Sequence, residues 1–232
     1  MNTHPADSPL VIDGETLARS DIEALAARAP GVHLRGCNLD EADLSRLDLS
    51  DWTFERCSFR RADFSGSELE RTVWRSCQGA LATFLAARLT DASFASCDFN
   101  NTVFRRANLS SVTVHGCKLT GADLSEARAL EIDIAETLLG SAKLAGLSFR
   151  KRTLRRVDFS DADLRNCDFR ACVFEQCSLR DANIAGSRFE GADLRGADLG
   201  GLRLIDARPF KGATISKTQA QQLLEELNLN IC

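Results

Sequence analysis

The sequence predicts an all-β solenoid, a chain wound into a four-sided coil. Three observations carry that reading. From Leu34 to Leu204 every fifth residue is meant to be large and apolar. The frame never slips: 33 of 35 positions hold Leu, Phe, Ile, Val or Trp, and only Gly79 and Ala129 depart from it. Two residues before each of these centres the side chain is small, being Ala, Cys, Ser or Thr at 26 of 35 positions. Cys37, Cys57, Cys77, Cys97 and Cys117 recur at intervals of 20, all in that small position, and Cys177 rejoins the series after Thr137 and Val157. Neither a helix nor a strand has a period of five, so a fixed short period over most of the chain means stacked coils. Twenty residues are four units of five, which gives the coil four sides with like residues stacked on like.

Each unit follows from its residues. The order is small, polar, apolar, polar, polar, as in Ala42-Asp43-Leu44-Ser45-Arg46 and Ala192-Asp193-Leu194-Arg195-Gly196. The apolar residue fills the interior, the small one points inward where little room remains, and the other three face water. Twelve of the 13 Phe residues sit at centres. If coils stack at strand spacing of about 4.8 Å, nearly nine of them make a rod about 42 Å long. Gly66, Gly121 and Gly186 take the fifth position of their units, where a tight corner needs unusual backbone angles. Cys167 and Cys172 occupy the inward position on other sides, so that only Cys232, in the tail, escapes burial. Inward cysteines in this setting read as small reduced hydrophobes. No Cys-x-x-Cys pair or zinc spacing occurs among them.

The ends read as caps. Residues 1–31 divide into a polar tail over 1–9, expected to be disordered, a short strand at Leu10-Val11-Ile12, and a helix from about Asp21 to Ala29. Ser20 and Glu23 form its capping box, Ile22, Leu25 and Ala26 its apolar face, and Pro30-Gly31 its stop. The solenoid itself is assigned to 32–206. The segment 207–232 is the second cap: regular units stop after Leu204, and Pro209 falls where the next centre would be. A capping box of Ser216 and Gln219 then starts a helix from about Lys217 to Leu227. Such caps cover a core and a row of unpaired backbone groups that the end coils expose. Leu223, Leu224 and Leu227, followed by Leu229 and Ile231, form an apolar stripe that reads either as a plain cap or as a dimer interface.

The repeated Ala-Asp-Leu-x-x and Cys-x-Phe-x-x units, among them Ala62-Asp63-Phe64, Ala107-Asn108-Leu109, Ala162-Asp163-Leu164 and Ala197-Asp198-Leu199, resemble the pentapeptide-repeat proteins. The resemblance covers about three quarters of the chain. It implies a right-handed quadrilateral β-helix of about nine coils. The segment Gly212-Ala213-Thr214-Ile215-Ser216, with Gln219, Leu223, Leu224 and a closing Leu-x-Ile, looks like the tail of the topoisomerase-protecting members. What that implies is a DNA-mimicking homodimer that shields DNA gyrase from antibiotics or toxins, with no direct nucleic-acid binding; no basic stretch followed by an apolar core is visible at the N-terminus, so a cytoplasmic place is expected. The frame runs straight through, without the loop insertions of the plasmid-borne quinolone-resistance members.

No constellation for catalysis is visible, and no cofactor or metal is expected. A nucleophile needs a base and an orienting group gathered in a pocket, and this interior is filled with Leu and Phe. His4, His33 and His115 are scattered. No apolar run is long enough to span a membrane. Between Leu34 and Leu204 there are 24 Lys and Arg against 25 Asp and Glu, so the rod offers local patches rather than a field of one sign. Three patches are candidates for partner binding: the acidic run Asp40, Glu41, Asp43, Asp48 and Asp51; the outward Leu81 and Leu85 beside Gly79; and Arg155 and Arg156, which continue Arg150-Lys151-Arg152. The last triplet puts Arg152 where a small inward residue belongs, so a distorted coil is the plainer reading there. The alternative to topoisomerase protection is a non-enzymatic scaffold or adaptor with a different protein partner.

Overall fold

The structure is a computed structural model and describes residues 10–29, 31–202 and 208–226. One face of the coil carries a parallel sheet whose strands follow chain order: β1 (Leu10–Asp13), β2 (Val32–Arg35), β3 (Thr53–Glu55), β4 (Val73–Arg75), β5 (Ser93–Ala95), β6 (Thr113–His115), β7 (Asp133–Ala135), β8 (Thr153–Arg155) and β9 (Val173–Glu175). From β2 onward the register is 20, pairing Leu34 with Phe54, Phe54 with Trp74 and Trp74 with Phe94. Parallel bridges at the same interval mark the other three faces, as at Asn38 with Ser58, Asp43 with Asp63 and Asp48 with Glu68. The result is a four-sided parallel β-solenoid of about nine coils, capped by two short helices, α1 (Arg19–Ala26) and α2 (Lys217–Glu226).

The interior follows the five-residue frame. All described centres are buried except Ile184, which is half-buried and still packs against the core. Two columns of rings fill it. One runs from Trp52 to Phe104 and includes Phe64, Phe84 and Phe104 stacked at 4.7 and 4.9 Å. The other holds Phe149, Phe169, Phe189 and Phe210 stacked at 5.2, 5.0 and 4.8 Å. Between them the core is aliphatic, with a cavity of about 20 Å³ among Phe104, Val114, Leu119 and Ile134. The inward thiols and hydroxyls are satisfied within the wall: Cys57 and Cys77 donate to the carbonyls of Leu34 and Phe54 at 3.3 Å, and Thr72 to that of Leu69 at 2.7 Å. The eight cysteines among the described residues are free and buried. Burial pushes the Cys167 thiol up to about 12 and that of Cys172 to about 11.

The corners explain the Asp-rich repeat. The fifth residue of nearly every unit has a positive φ, from 49° at Arg156 to 66° at Asp51 among non-glycines, and 66° at Gly66. The residue before each centre steadies the turn when it is Asp or Asn. Asp43, Asp63, Asp123 and Asp163 each accept the N–H two residues on, at 2.8 to 3.2 Å. Gly79 leaves no irregularity: the ladder is intact there, with its N–H on the Asp98 carbonyl at 2.8 Å, and the Phe99 ring occupies the space that a side chain would take.

Both ends differ from the expected detail. At the N-terminus α1 begins at Arg19, with Ala18 as its cap, because the Asp21 carboxylate accepts the Ala18 N–H at 2.8 Å. Ser20 lies inside the helix, and Ser20 with Glu23 is not the capping box. The expected strand forms as β1, adding a row below β2, and Ile22 and Leu25 are buried beneath the first coil. At the C-terminus the wall does not stop after Leu204. Phe189 and Leu194 donate to the carbonyls of Pro209 and Thr214, at 2.8 Å each, so the frame resumes displaced by one residue and Phe210, not Pro209, takes the next centre. The second capping box is as the sequence predicts: Ser216 N–H to Gln219 Oε1 at 2.7 Å and Gln219 N–H to Ser216 Oγ at 3.1 Å. Residues 1–9, where the sequence predicts disorder, and Leu227, Leu229 and Ile231 lie outside the described residues.

Candidate functional site

The solenoid turns three residues of every five outward, so its exposed surface is a set of columns at intervals of 20. In that geometry the acidic run does not form a stripe. Asp40, Glu41, Asp43, Asp48 and Asp51 spread around a single coil, and three of the five are ion-paired. Arg61 lies over Glu41 at 3.3 Å, Arg71 grips both oxygens of Asp51 at 2.7 Å, and Arg19 reaches Asp43 at 3.1 Å. Asp40 accepts the Ser58 hydroxyl and the Arg60 N–H, and Asp48 the Ser50 N–H. The hydrogen bond from Arg71 holds the Asp51 carboxyl below its ordinary value, and that from Ser45 does the same for Asp43. Leu81 is 51% exposed and Leu85 half-buried, on successive corners of one coil rather than in one patch.

The basic run divides in two. Arg155 pairs with Glu175 at 2.7 Å and Arg156 with Glu136, so the two arginines singled out as binding candidates are neutralised within the wall. Arg150, Lys151 and Arg152 make no ion pair among the described residues. They line a cleft of about 360 Å³ together with Ala129, Leu130, Glu131 and Ser148. Leu130 is 70% exposed at its edge.

The cleft exists because the wall opens there. In the intact wall a centre donates its N–H to the coil above; Leu109 does so to Arg128 and Phe149 to Asp168. Ala129 does not reach Ser148, nor Glu126 Ala145, nor Glu131 Arg150. The return bonds from Ser148 to Ala127 and from Thr153 to Ile132 are absent as well. Between β7 and β8 only Ala135 and Arg155 remain paired. Two residues account for this. Ala129 is too small to hold the coil above at its centre. Arg152 stands in the column of Trp52, Thr72, Ala92, Val112, Ile132 and Cys172, all buried, yet a guanidinium cannot enter an apolar interior unpaired. It stays half-exposed and the coils part. The distortion anticipated at Arg152 is thus present, and it leaves an opening.

Sequence reasoning missed one residue with a structural role. Gln219 of α2, buried, donates its side-chain N–H groups to the carbonyls of Leu194 and Ala197 at 2.7 and 2.6 Å, closing the last coil. Its place in the capping box was legible; its second contact, with a coil more than twenty residues earlier, was not. His115 is exposed beside Glu136 at 3.5 Å. No group of three or more His, Cys, Asp or Glu residues that could hold a metal occurs among the described residues, and no described helix is long and apolar enough to cross a membrane.

A parallel four-sided solenoid with a period of five defines a repeat protein. Two sequence families, described as pentapeptide repeats (8 copies) and pentapeptide repeats (9 copies), match residues 26–55, 37–73 and 87–125, and residues 137–198. The chain belongs to the pentapeptide-repeat family. Among solved structures it is similar to full-length QnrB1, a plasmid-mediated fluoroquinolone resistance protein, with a TM-score of 0.69 and 22% identity over 95% of this chain and 98% of that one. A trypsin-treated variant of QnrB1 gives 0.64 and 21% identity over 97% of this chain and 100% of that one. HetL of Nostoc sp. Strain PCC 7120, involved in heterocyst differentiation regulation, gives 0.37 and 21% identity over 85% and 94%. No curated protein matches the sequence.

Proposed function

We propose that this protein is a binding rod that protects a type II topoisomerase, DNA gyrase, from fluoroquinolones or other inhibitors by occupying the surface that grips DNA. The observation that carries the reading is the likeness to QnrB1 over 95% of this chain and 98% of that one, which supports a rod of similar length. The physical basis is substitution of carboxylates for phosphates on a surface evolved to neutralise phosphates. Asp91, Asp133 and Asp161 make no ion pair among the described residues and are the carboxylates to map first. The rod is proposed to be cytoplasmic and without enzymatic activity.

The proposal includes a two-fold dimer through the C-terminal segment. Leu224 is 40% exposed on α2 while its neighbour Leu223 packs against the core, so the helix retains an outward apolar residue after capping the coil. Leu227, Leu229 and Ile231 belong to the same proposed interface. Sedimentation of Leu224→Glu together with Leu227→Glu tests it: the dimer should become a monomer, and a monomeric wild type removes the interface.

The central test is gyrase supercoiling and cleavage with purified protein, with and without a fluoroquinolone. Rescue of supercoiling, or inhibition of gyrase at micromolar protein, supports the reading. No effect on gyrase or topoisomerase IV removes it. A second reading, an adaptor for a different protein, is favoured by the near balance of 24 basic and 25 acidic residues between Leu34 and Leu204, which denies the rod a field of one sign. A non-topoisomerase partner lost on Leu81→Glu or Arg155→Glu would establish it.

A further inference from the structure

The opening between the coils at 126–132 and 145–153 holds three features that meet nowhere else among the described residues. The first is a cleft of about 360 Å³ in the wall, within the size range of small-molecule sites. The second is a run of three cations, Arg150, Lys151 and Arg152, free of ion pairs among the described residues. Other basic residues nearby are engaged, Arg155 with Glu175, Arg156 with Glu136, Arg165 with Asp163 and Arg170 with Asp168, while Arg128 on the lower coil of the opening, like the triplet, makes no ion pair among the described residues. The third is backbone. The N–H groups of Ala129 and Glu131 have lost the carbonyls that their counterparts in other coils use, and such groups require another acceptor.

We propose that this opening is an anion-binding cleft for a phosphoryl-bearing small molecule. The cations of Arg150, Lys151 and Arg152 supply the charge, the Ser148 hydroxyl and the released N–H groups supply directed donors, and Leu130 at the rim offers an apolar shelf to the rest of the ligand. Guanidinium forks match phosphoryl oxygens in pairs, and donors fixed on a wall bind an anion without reorganising. Glu131 inside the cleft and Asp133 on the adjoining face oppose the field and Arg128 on the lower coil adds to it, leaving these groups positive by two formal charges. That balance favours a group of high charge density over a single carboxylate. The inference is independent of the partner of the rod.

The experiment uses the full chain and two probes, sodium tripolyphosphate and ATP, with binding followed by calorimetry and amide hydrogen exchange. Both probes should bind, and both should slow exchange at Ala129, Glu131 and Ser148. Tighter binding of ATP than of tripolyphosphate assigns the cleft to nucleotides, and equal binding assigns it to the phosphoryl chain alone. Arg150→Gln with Lys151→Gln should weaken binding by roughly tenfold or more, whereas Arg155→Gln with Arg156→Gln, which alters cations already paired, should not. The same loss in both double variants would mean a diffuse field rather than a site and would overturn the proposal. So would the absence of binding at millimolar probe, or exchange unchanged at the three amides.

Discussion

Replacing Arg152 by valine should close the wall. The residues stacked below it in the same column are Val112 and Ile132, both buried, so a valine side chain has a place to go. Closure would restore up to five inter-coil backbone hydrogen bonds: Glu126 to Ala145, Ala129 to Ser148, Glu131 to Arg150, Ser148 to Ala127 and Thr153 to Ile132. A backbone hydrogen bond contributes a net 0.5–1.5 kcal/mol or so. At the lower figure five bonds amount to about 2.5 kcal/mol. Burial of valine adds to this, while the undersized Ala129 subtracts, so the gain in local stability should lie near 2 kcal/mol. Hydrogen exchange reads that quantity residue by residue. In the wild type the amides of Ala129, Glu131, Ser148 and Thr153 should exchange far faster than those of Leu109 and Phe149, their counterparts in intact wall. In Arg152→Val their protection should rise roughly ten- to a hundredfold. If the four amides are already protected in the wild type, the opening is not a property of the protein in solution. If they stay fast in the variant, the guanidinium is not what separates the coils, and Ala129 carries the effect alone.

Other consequences can be checked in the same preparation. Gly196→Ala should destabilise by about 2 kcal/mol or more, since a Cβ there would overlap the Phe174 carbonyl oxygen, a backbone atom that cannot step aside; urea denaturation measures it. Gly79→Leu should be as harmful alone but largely rescued by Phe99→Leu, because the Phe99 ring fills the missing side chain's space. The hydrogen bonds of Arg165, Arg170 and Arg195 hold the carboxyls of Asp163, Asp168 and Asp193 below the ordinary 3.8. Groups with lowered folded values contribute stability above that figure and lose it as pH falls through the lowered value. The urea midpoint should therefore be flat from neutral pH down to about 5 and fall below about 4, less steeply in Asp168→Asn. The eight buried thiols should resist DTNB in the folded protein and react on unfolding, Cys167 and Cys172 being held up by burial.

The repeat was legible because burial in a coil of this size has only one inward residue per unit to spare for bulk. Leu34, Phe54 and Trp74 announce the core, and Cys37 through Cys117 announce the length of a coil, by their spacing alone. What the sequence concealed were relations between rows. Glu41 with Arg61 and Asp51 with Arg71 are pairs at an interval of 20, and reading along the chain instead of across it hid the cations that face these two members of the acidic run. The opening depends on Ala129 and Arg152, which are 23 positions apart and act together only once their coils are stacked. Phe210 was hidden for a different reason: the frame is displaced by one residue before it, so counting in fives lands on Pro209. The start of α1 was misjudged because the Asp21 carboxylate takes the Ala18 N–H, a contact that outweighs the usual preference for a hydroxyl at the cap.

The interval of 20 makes the exterior of this molecule a grid, with rows set by the coil and columns by the position within it. Because the interior repeats on the same interval, insertion or deletion of 20 residues would return every inward side chain to an equivalent neighbour while shifting the outward pattern by one row. Length can therefore change in whole rows without redesign of the core, and a surface feature can be duplicated, moved or erased as a unit. The opening at Ala129 and Arg152 is the exception to that freedom. It belongs to the boundary between two particular rows, and any rearrangement that separates them abolishes it.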